Sequence, residues 1–369
     1  MRSGSTKRIK KTLKTERNDT MDLAKTLTAL SEAMGPSGFE ASVAEMVAEI
    51  MRPMCDEVTT DALGNVHGIR HAAKPGAPKL LYSAHMDEIG FMVTDIKDGF
   101  LRFRTIGGID PRVMPAREVT VMTDPPIHGV ISSVPPHLQA AGDNTKPFAV
   151  EELVIDIGMS DEKARKLVRP GTPAVFSEHA QLLGDKLFSG KTLDDRGCVV
   201  MLLRTLELLQ GKDLPVELVI QASTQEEVGL RGAQVGAYAN APDWAVAVDV
   251  THAETPDAPK RPDIVKFAGG VPISMGPNTN RALGRRLCEL SEKLGMGYQP
   301  QVMEGGTGTD AWAMQVAGDG TASCVISLPL RYMHTAVETI HLDDLENAAK
   351  LLAEFALDPG EAPPRGPLV

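Results

Sequence analysis

The chain predicts an α/β fold in which a mixed sheet with flanking helices is interrupted by a small β-rich domain. Three observations carry this reading. Apolar runs of strand length alternate with amphipathic helical segments at both ends of the chain. From about residue 88 to 177 there are only brief β-rich runs between Gly, Pro and Asp turns. The 369 residues also exceed the roughly 100 to 200 that one core commonly organises, so two domains are expected.

Residues 1–20 carry seven Lys or Arg against Glu16 and Asp19 and have no apolar stretch of signal-peptide type. They read as a disordered basic extension, with an Arg-rich transit peptide as the alternative, and the fold is expected to begin near Met21. Leucines and alanines at helical spacing predict a helix from Asp22 to Met34, and Val43, Met46, Val47 and Ile50 predict a second that stops at Pro53. LLYSA then forms a short buried strand running into His85, Met86 and Asp87. The runs FMVTDI, FLRFRTI, EVTVMT, GVISSV and LVIDI follow as the inserted β-domain, placed at 88–177. Beyond it the helix CVVMLLRTLELL, the strands PVELVIQAS, WAVAVDV and CVISL and a last helix from Leu345 to Leu357 restore the α/β character. The catalytic domain is thus expected over 21–87 and 178–357, with a flexible Pro-rich tail at 358–369.

With 42% hydrophobic and 24% charged residues the composition is that of a soluble globular protein, and no apolar run approaches the roughly 20 residues needed to cross a bilayer. A net charge of −11 argues against a nucleic-acid surface, leaving a small molecule or another protein as partner. Cys55, Cys198, Cys288 and Cys324 are scattered without a CxxC pair, so no disulfide framework or thiolate metal site is indicated and a cytoplasmic setting is expected.

Polar clusters stand where apolar runs end: His85 and Asp87 after LLYSA, Glu226 and Glu227 after VELVIQAS, Asp249 at the end of WAVAVDV, and His334 after CVISL. Ligands in open α/β sheets bind beyond the carboxyl ends of the strands, so these groups can converge. Each also has an ordinary reading: a buried histidine, a solvated Glu pair, a turn aspartate or, for Asp194, a helix N-cap. Together, two imidazoles and several carboxylates suit a pair of Zn²⁺, Co²⁺ or Mn²⁺ ions.

SAHMDEIGF (83–91), TLDDRGC (192–198), QEEVGLRGA (225–233), VDVTHAETPD (248–257) and RYMHTAVE (331–338) resemble the ordered motifs of family 42 of the metallopeptidases, the self-compartmentalising aminopeptidases. GPSGFE (35–40), DALGNVHG (61–68), IGGID, GVISSVPPHL and GTDAW (308–312) are similar to flanking signatures, so the resemblance covers about 21–357. It implies a zinc-exopeptidase-like sheet with a PDZ-like or barrel insertion. It further implies that His85 and Asp249 bind one ion and Glu227 and His334 the other, with Asp194 bridging. Asp87 would orient His85, and Glu226 would be the general base. The implied activity is removal of the N-terminal residue from short peptides, in a homo-oligomer that is a dodecamer assembled from dimers. A related deacylase or carboxypeptidase and a glycoside hydrolase are the competing functions; the last wants carboxyls on opposite sides of a bond and leaves the histidines without a role. The chain departs from the family pattern at KFAGGVPISMGPN (266–278) and in the extra Gly-Thr of GGTGTDAW, both near where the family builds its substrate pocket.

Overall fold

The computed structural model describes residues 20–138, 146–256, 259–261 and 264–361; residues 1–19 of the expected basic extension and 362–369 of the expected tail lie outside the described residues. Helix α1 (Leu23–Ser31) starts where the Asp22 side chain accepts from Lys25 N. It ends three residues short of the expected Met34 because the following carbonyls are committed elsewhere. Leu30, Ala33 and Gly35 all offer their oxygens to the buried Arg196 guanidinium. Helix α2 (Ala41–Met51) buries Val43, Ala44, Val47, Ala48 and Met51 on one stripe and stops just before Pro53.

Strands β1 (Glu57–Thr60), β2 (Val66–Arg70) and β3 (Lys79–His85) belong to the main sheet. The chain then leaves it for β4 (Gly90–Lys97), β5 (Phe100–Ile106), β6 (Glu118–Val121), β7 (Ile127–Ser132), β8 (Val154–Asp156) and β9 (Pro173–Phe176). These close into a barrel in the order β4-β5-β8-β7-β6-β9, with helix α3 (Asp161–Leu167) beside it. Closure removes the sheet edges and buries alternate residues inside. Phe91 centres that core, meeting Phe103 and Phe176 edge-on with centroids 5.2 and 5.0 Å away.

The chain re-enters the sheet through β10 (Gln181–Leu183) and β11 (Leu187–Gly190) and continues with α4 (Leu193–Leu208), β12 (Glu217–Ser223), α5 (Arg231–Asn240) and β13 (Trp244–His252). It finishes with β14 (Val271–Met275), α6 (Arg281–Lys293), β15 (Tyr298–Val302), α7 (Asp310–Met314), β16 (Ala322–Arg331), β17 (Glu338–His341) and α8 (Leu342–Leu357). Helix α8 begins three residues before the expected Leu345 because His341 Nδ1 accepts from Asp343 N and caps it. The result is the mixed α/β sheet with flanking helices, of order β1-β2-β12-β3-β13-β16-β17-β11-β10, with β14 joining β16 and β15 joining β14. Its centre is four parallel strands, β12, β3, β13 and β16. Both faces are covered, which is why β13 is buried over eight of its nine residues. Alternation decides the face: Leu80 and Tyr82 enter the large core beneath α4 and α8, whereas Leu81 packs with α5 and α7. Among the described residues no helix is long and apolar enough to cross a membrane.

Candidate metal centre

The four central strands run in one direction, so their carboxyl ends deliver side chains to one rim. His85 closes β3. Ala247 of β13 pairs with Ser83 of β3, so Asp249, two residues on, stands level with His85 and projects on the same face. Glu226 and Glu227 follow β12, and His334 follows β16.

Asp87 is fully buried and organises the glutamates as well as His85. Its Oδ1 lies 3.4 Å from His85 Nδ1 and accepts from Glu226 N at 3.0 Å, while Oδ2 accepts from Ser37 Oγ at 2.6 Å and from Glu227 N at 3.2 Å. The Glu226–Glu227 segment is therefore a turn wrapped around Asp87, entered through left-handed Gln225 (φ 55°). Both carboxylates still enter one cavity from different sides. Glu226 Oε2 is 3.9 Å from His85 Nε2, and Glu227 Oε1 is 3.3 Å from His334 Nε2.

Asp194 lies between the two histidines. Its Oδ1 is 3.1 Å from His85 Nε2 and its Oδ2 is 3.3 Å from His334 Nε2. It is not the N-cap: Thr192 occupies that position, and Asp194 and Asp195 have non-helical dihedrals ahead of the regular turns of α4. Glu338 holds the arrangement from behind. Buried at the start of β17, it accepts from Asp194 N at 3.0 Å with Oε2 and from His334 N at 2.9 Å with Oε1. One carboxylate thus fixes the backbones of two segments that are 140 residues apart in sequence (334 − 194).

The inserted barrel reaches the same place. Gly107 adopts φ +73°, and a Cβ there would stand 3.1 Å from Glu227 Oε2; one on Gly108 would stand 3.3 Å from His334 Nδ1. The IGGID glycines permit this approach of barrel to site.

Sequence reasoning assigned no role to Glu338, Ser37, Asp195 or Asp310, although each lies in a quoted motif. Asp195 Oδ2 accepts from His85 N at 3.1 Å, and Asp310 Oδ2 accepts from Ser83 and Ser223 hydroxyls at 2.6 Å each. Lys191, Glu88 and Arg196 form a buried ionic cluster that ties the Gly35 loop, and through it Ser37, to the site. The only signal for Glu338, Ser37, Asp195 and Asp310 was their presence inside motif strings.

Burial pushes the Glu226 carboxyl up to about 10, helped by the charges of Asp249, Asp310 and Glu227 and opposed by His85. Burial likewise raises Asp249 well above the ordinary range and raises Glu227. Burial would raise Asp194 too, but the hydrogen bonds from His334 and His85 outweigh it and hold Asp194 low. Contacts with Asp194 and Glu227 push His334 up to about 11. The centre is an acidic pocket short of positive charge.

The family model of the M42 glutamyl aminopeptidases matches residues 64–351. The chain belongs to that family. It is similar to the lysyl aminopeptidase of Pyrococcus furiosus, with 36% identity over 87% of this chain and 92% of that protein. Among solved structures, an aminopeptidase from the archaeon Desulfurococcus kamchatkensis superposes with a TM-score of 0.85 at 36% identity, covering 91% of this chain and 94% of the other. The Pyrococcus horikoshii TET1 peptidase, described as able to assemble into a tetrahedron or a large octahedral shell, gives 0.81 at 35% identity over 91% and 100%.

As a member of this family the chain is a metal-dependent peptidase of the aminopeptidase type, and membership implies divalent ions. The donor set fits them. Atoms of His85, Asp194 and Asp249 lie within 4.8 Å of one another, as do those of Asp194, Glu227 and His334. Two imidazoles and three carboxylates are ligands suited to Zn²⁺, Co²⁺ or Mn²⁺, and a cation between them supplies the missing charge.

Proposed function

We propose that the chain removes the N-terminal residue of short peptides with two divalent ions, Zn²⁺, Co²⁺ or Mn²⁺. His85 and Asp249 would hold one, Glu227 and His334 the other, and Asp194 would be shared. The observation that carries this reading is the presentation of one Asp194 oxygen to each histidine. Bound there, the ions would polarise the scissile carbonyl and lower the pKa of water. Glu226 takes the proton of the attacking water and passes it to the leaving amine. Asp87 keeps His85 in one tautomer by accepting from Nδ1, and its grip on Glu226 N and Glu227 N holds the base and a ligand in register.

Apo-protein reloaded with each metal is expected to hydrolyse aminoacyl-nitroanilides, with background-level turnover of acyl-amino acids and cellulose. Cleavage confined to acyl-amino acids would instead assign a deacylase or carboxypeptidase, and cleavage of cellulose a glycosidase.

The same reading gives 21–87 and 178–357 as the catalytic domain and 88–177 as the oligomerisation domain of a dodecamer built from dimers. The shells described for the Pyrococcus horikoshii relative support a large closed homo-oligomer. Light scattering of metal-replete protein is expected near twelve times the 39.5 kDa chain mass; one or two chain masses at micromolar concentration would reject the shell. All four cysteines are free, which supports a cytoplasmic setting.

A further inference from the structure

The cavity over the metal ligands is about 1080 Å³ and extends well past them. On β13 the face that carries Asp249 next carries Thr251, roughly 6.8 Å further along at 3.4 Å per residue. Ser327 of β16, level with Asp249, and Ser274 of β14 and Gln301 of β15 line the same cavity. Each of the four is buried, with exposures of 6% or less. One carboxamide joins them. Gln301 Oε1 accepts from Ser327 Oγ at 3.1 Å and from Ser274 Oγ at 3.5 Å, and Gln301 Nε2 donates to Thr251 Oγ1. Both lone pairs of the carbonyl are used, whereas the second N–H of the amide has no partner among the described residues and remains to meet a ligand. Val325, Met303 and Met333 give the recess apolar walls. Among the described residues, His252, Arg261 and Glu304 are the titratable lining groups away from the metal ligands, and all three are exposed rather than part of this floor.

We infer that this recess receives the side chain of the substrate's N-terminal residue, and that Gln301 makes the enzyme select uncharged side chains of medium length, namely Leu, Met and Gln, over Lys, Arg, Asp and Glu. This rests on the aminopeptidase reading. A substrate carbonyl held at the ligand cluster puts its own side chain within one side-chain length of Thr251. An ionised group pushed among hydroxyls already bonded to the Gln301 carboxamide finds no counter-charge among the described residues of this floor, and uncompensated burial of a charge is among the costliest events in binding. A methionine or leucine meets the apolar walls, and a glutamine can in addition accept from the unused Gln301 N–H.

The test is a panel of aminoacyl-nitroanilides on metal-replete, assembled enzyme. In the wild type, kcat/KM for Leu, Met and Gln should exceed that for Lys and Glu by at least about tenfold. In Gln301→Leu the ratio of Gln to Leu substrate should fall about tenfold, and in Gln301→Glu the ratio of Lys to Leu should rise by a similar factor. Competitive inhibition of the wild type by free amino acids supplies a readout that needs no variant, with norleucine expected to bind more tightly than lysine or glutamate. A wild-type preference for a charged residue, or Gln301 variants that scale all substrates equally, would overturn the assignment while leaving the aminopeptidase intact. Failure to cleave any aminoacyl-nitroanilide would remove the underlying reading, and this inference with it.

Discussion

Asp194→Ala is expected to hold at most one ion per chain after metal saturation and to lose at least about 10³-fold in kcat/KM. Without the shared carboxylate, His85 and Asp249 remain as one pair and Glu227 and His334 as the other. Two protein ligands fall short of the three that catalytic zinc sites ordinarily keep. The backbone is not expected to collapse, because Glu338 bonds Asp194 through its N–H, which alanine retains, and bonds His334 independently. Elemental analysis of dialysed protein measures stoichiometry. Melting with and without added Zn²⁺ gives a second readout, since an ion that binds only the folded chain raises Tm by mass action, and the variant should show a smaller rise. Two ions bound in Asp194→Ala with wild-type affinity would end the shared-ligand model.

Much of this site was legible because strand termini are legible. An apolar run that stops at a polar residue marks the carboxyl end of a buried strand, and His85, the Glu226–Glu227 pair and His334 were all found that way. Asp249 was also read as an acid at a strand end, although β13 runs on to His252. Other features left no such trace. The Glu226–Glu227 turn depends on Asp87 accepting from two backbone N–H groups, and no local pattern announces that bond. Glu338 reads in sequence as an ordinary acid four residues after His334, and only tertiary contact makes it a bracket. Helix α5 was missed because its buried face is Gly232, Ala233, Gly236 and Ala237, too small to give an apolar period. A Cβ on Gly236 would stand 1.7 Å from Gln221 Oε1, so the small residues answer to close packing against β12. The floor containing Gln301 was equally silent, since it is assembled from β13, β14, β15 and β16 by pairings that local sequence does not specify.

Glu226→Gln separates catalysis from assembly of the centre, and its expected result is full metal content with kcat lowered by at least about 10²-fold, the low end for general acid–base catalysis. The amide preserves the shape of the side chain, and the Glu226 N donation to Asp87 involves only backbone, so the turn should persist. What changes is the ability to accept a proton. In the structure the Glu226 carboxyl lies 3.9 Å from His85 Nε2, nine-tenths buried by side chain, with burial and then Asp249, Asp310 and Glu227 raising its pKa against the lowering effect of His85. A cation held by Asp249 and Glu227 would oppose the repulsion and favour the ionised form that a base requires, which the neutral amide cannot reproduce. Glu227→Gln is the control. It touches His334 at 3.3 Å and belongs to the cluster with Asp194, so its substitution should cost metal affinity together with activity. Measuring ion content and kcat for both variants distinguishes the neighbours. If Glu226→Gln sheds an ion while Glu227→Gln keeps both and loses only turnover, the two roles are exchanged, and near wild-type kcat in Glu226→Gln would place the base on another residue.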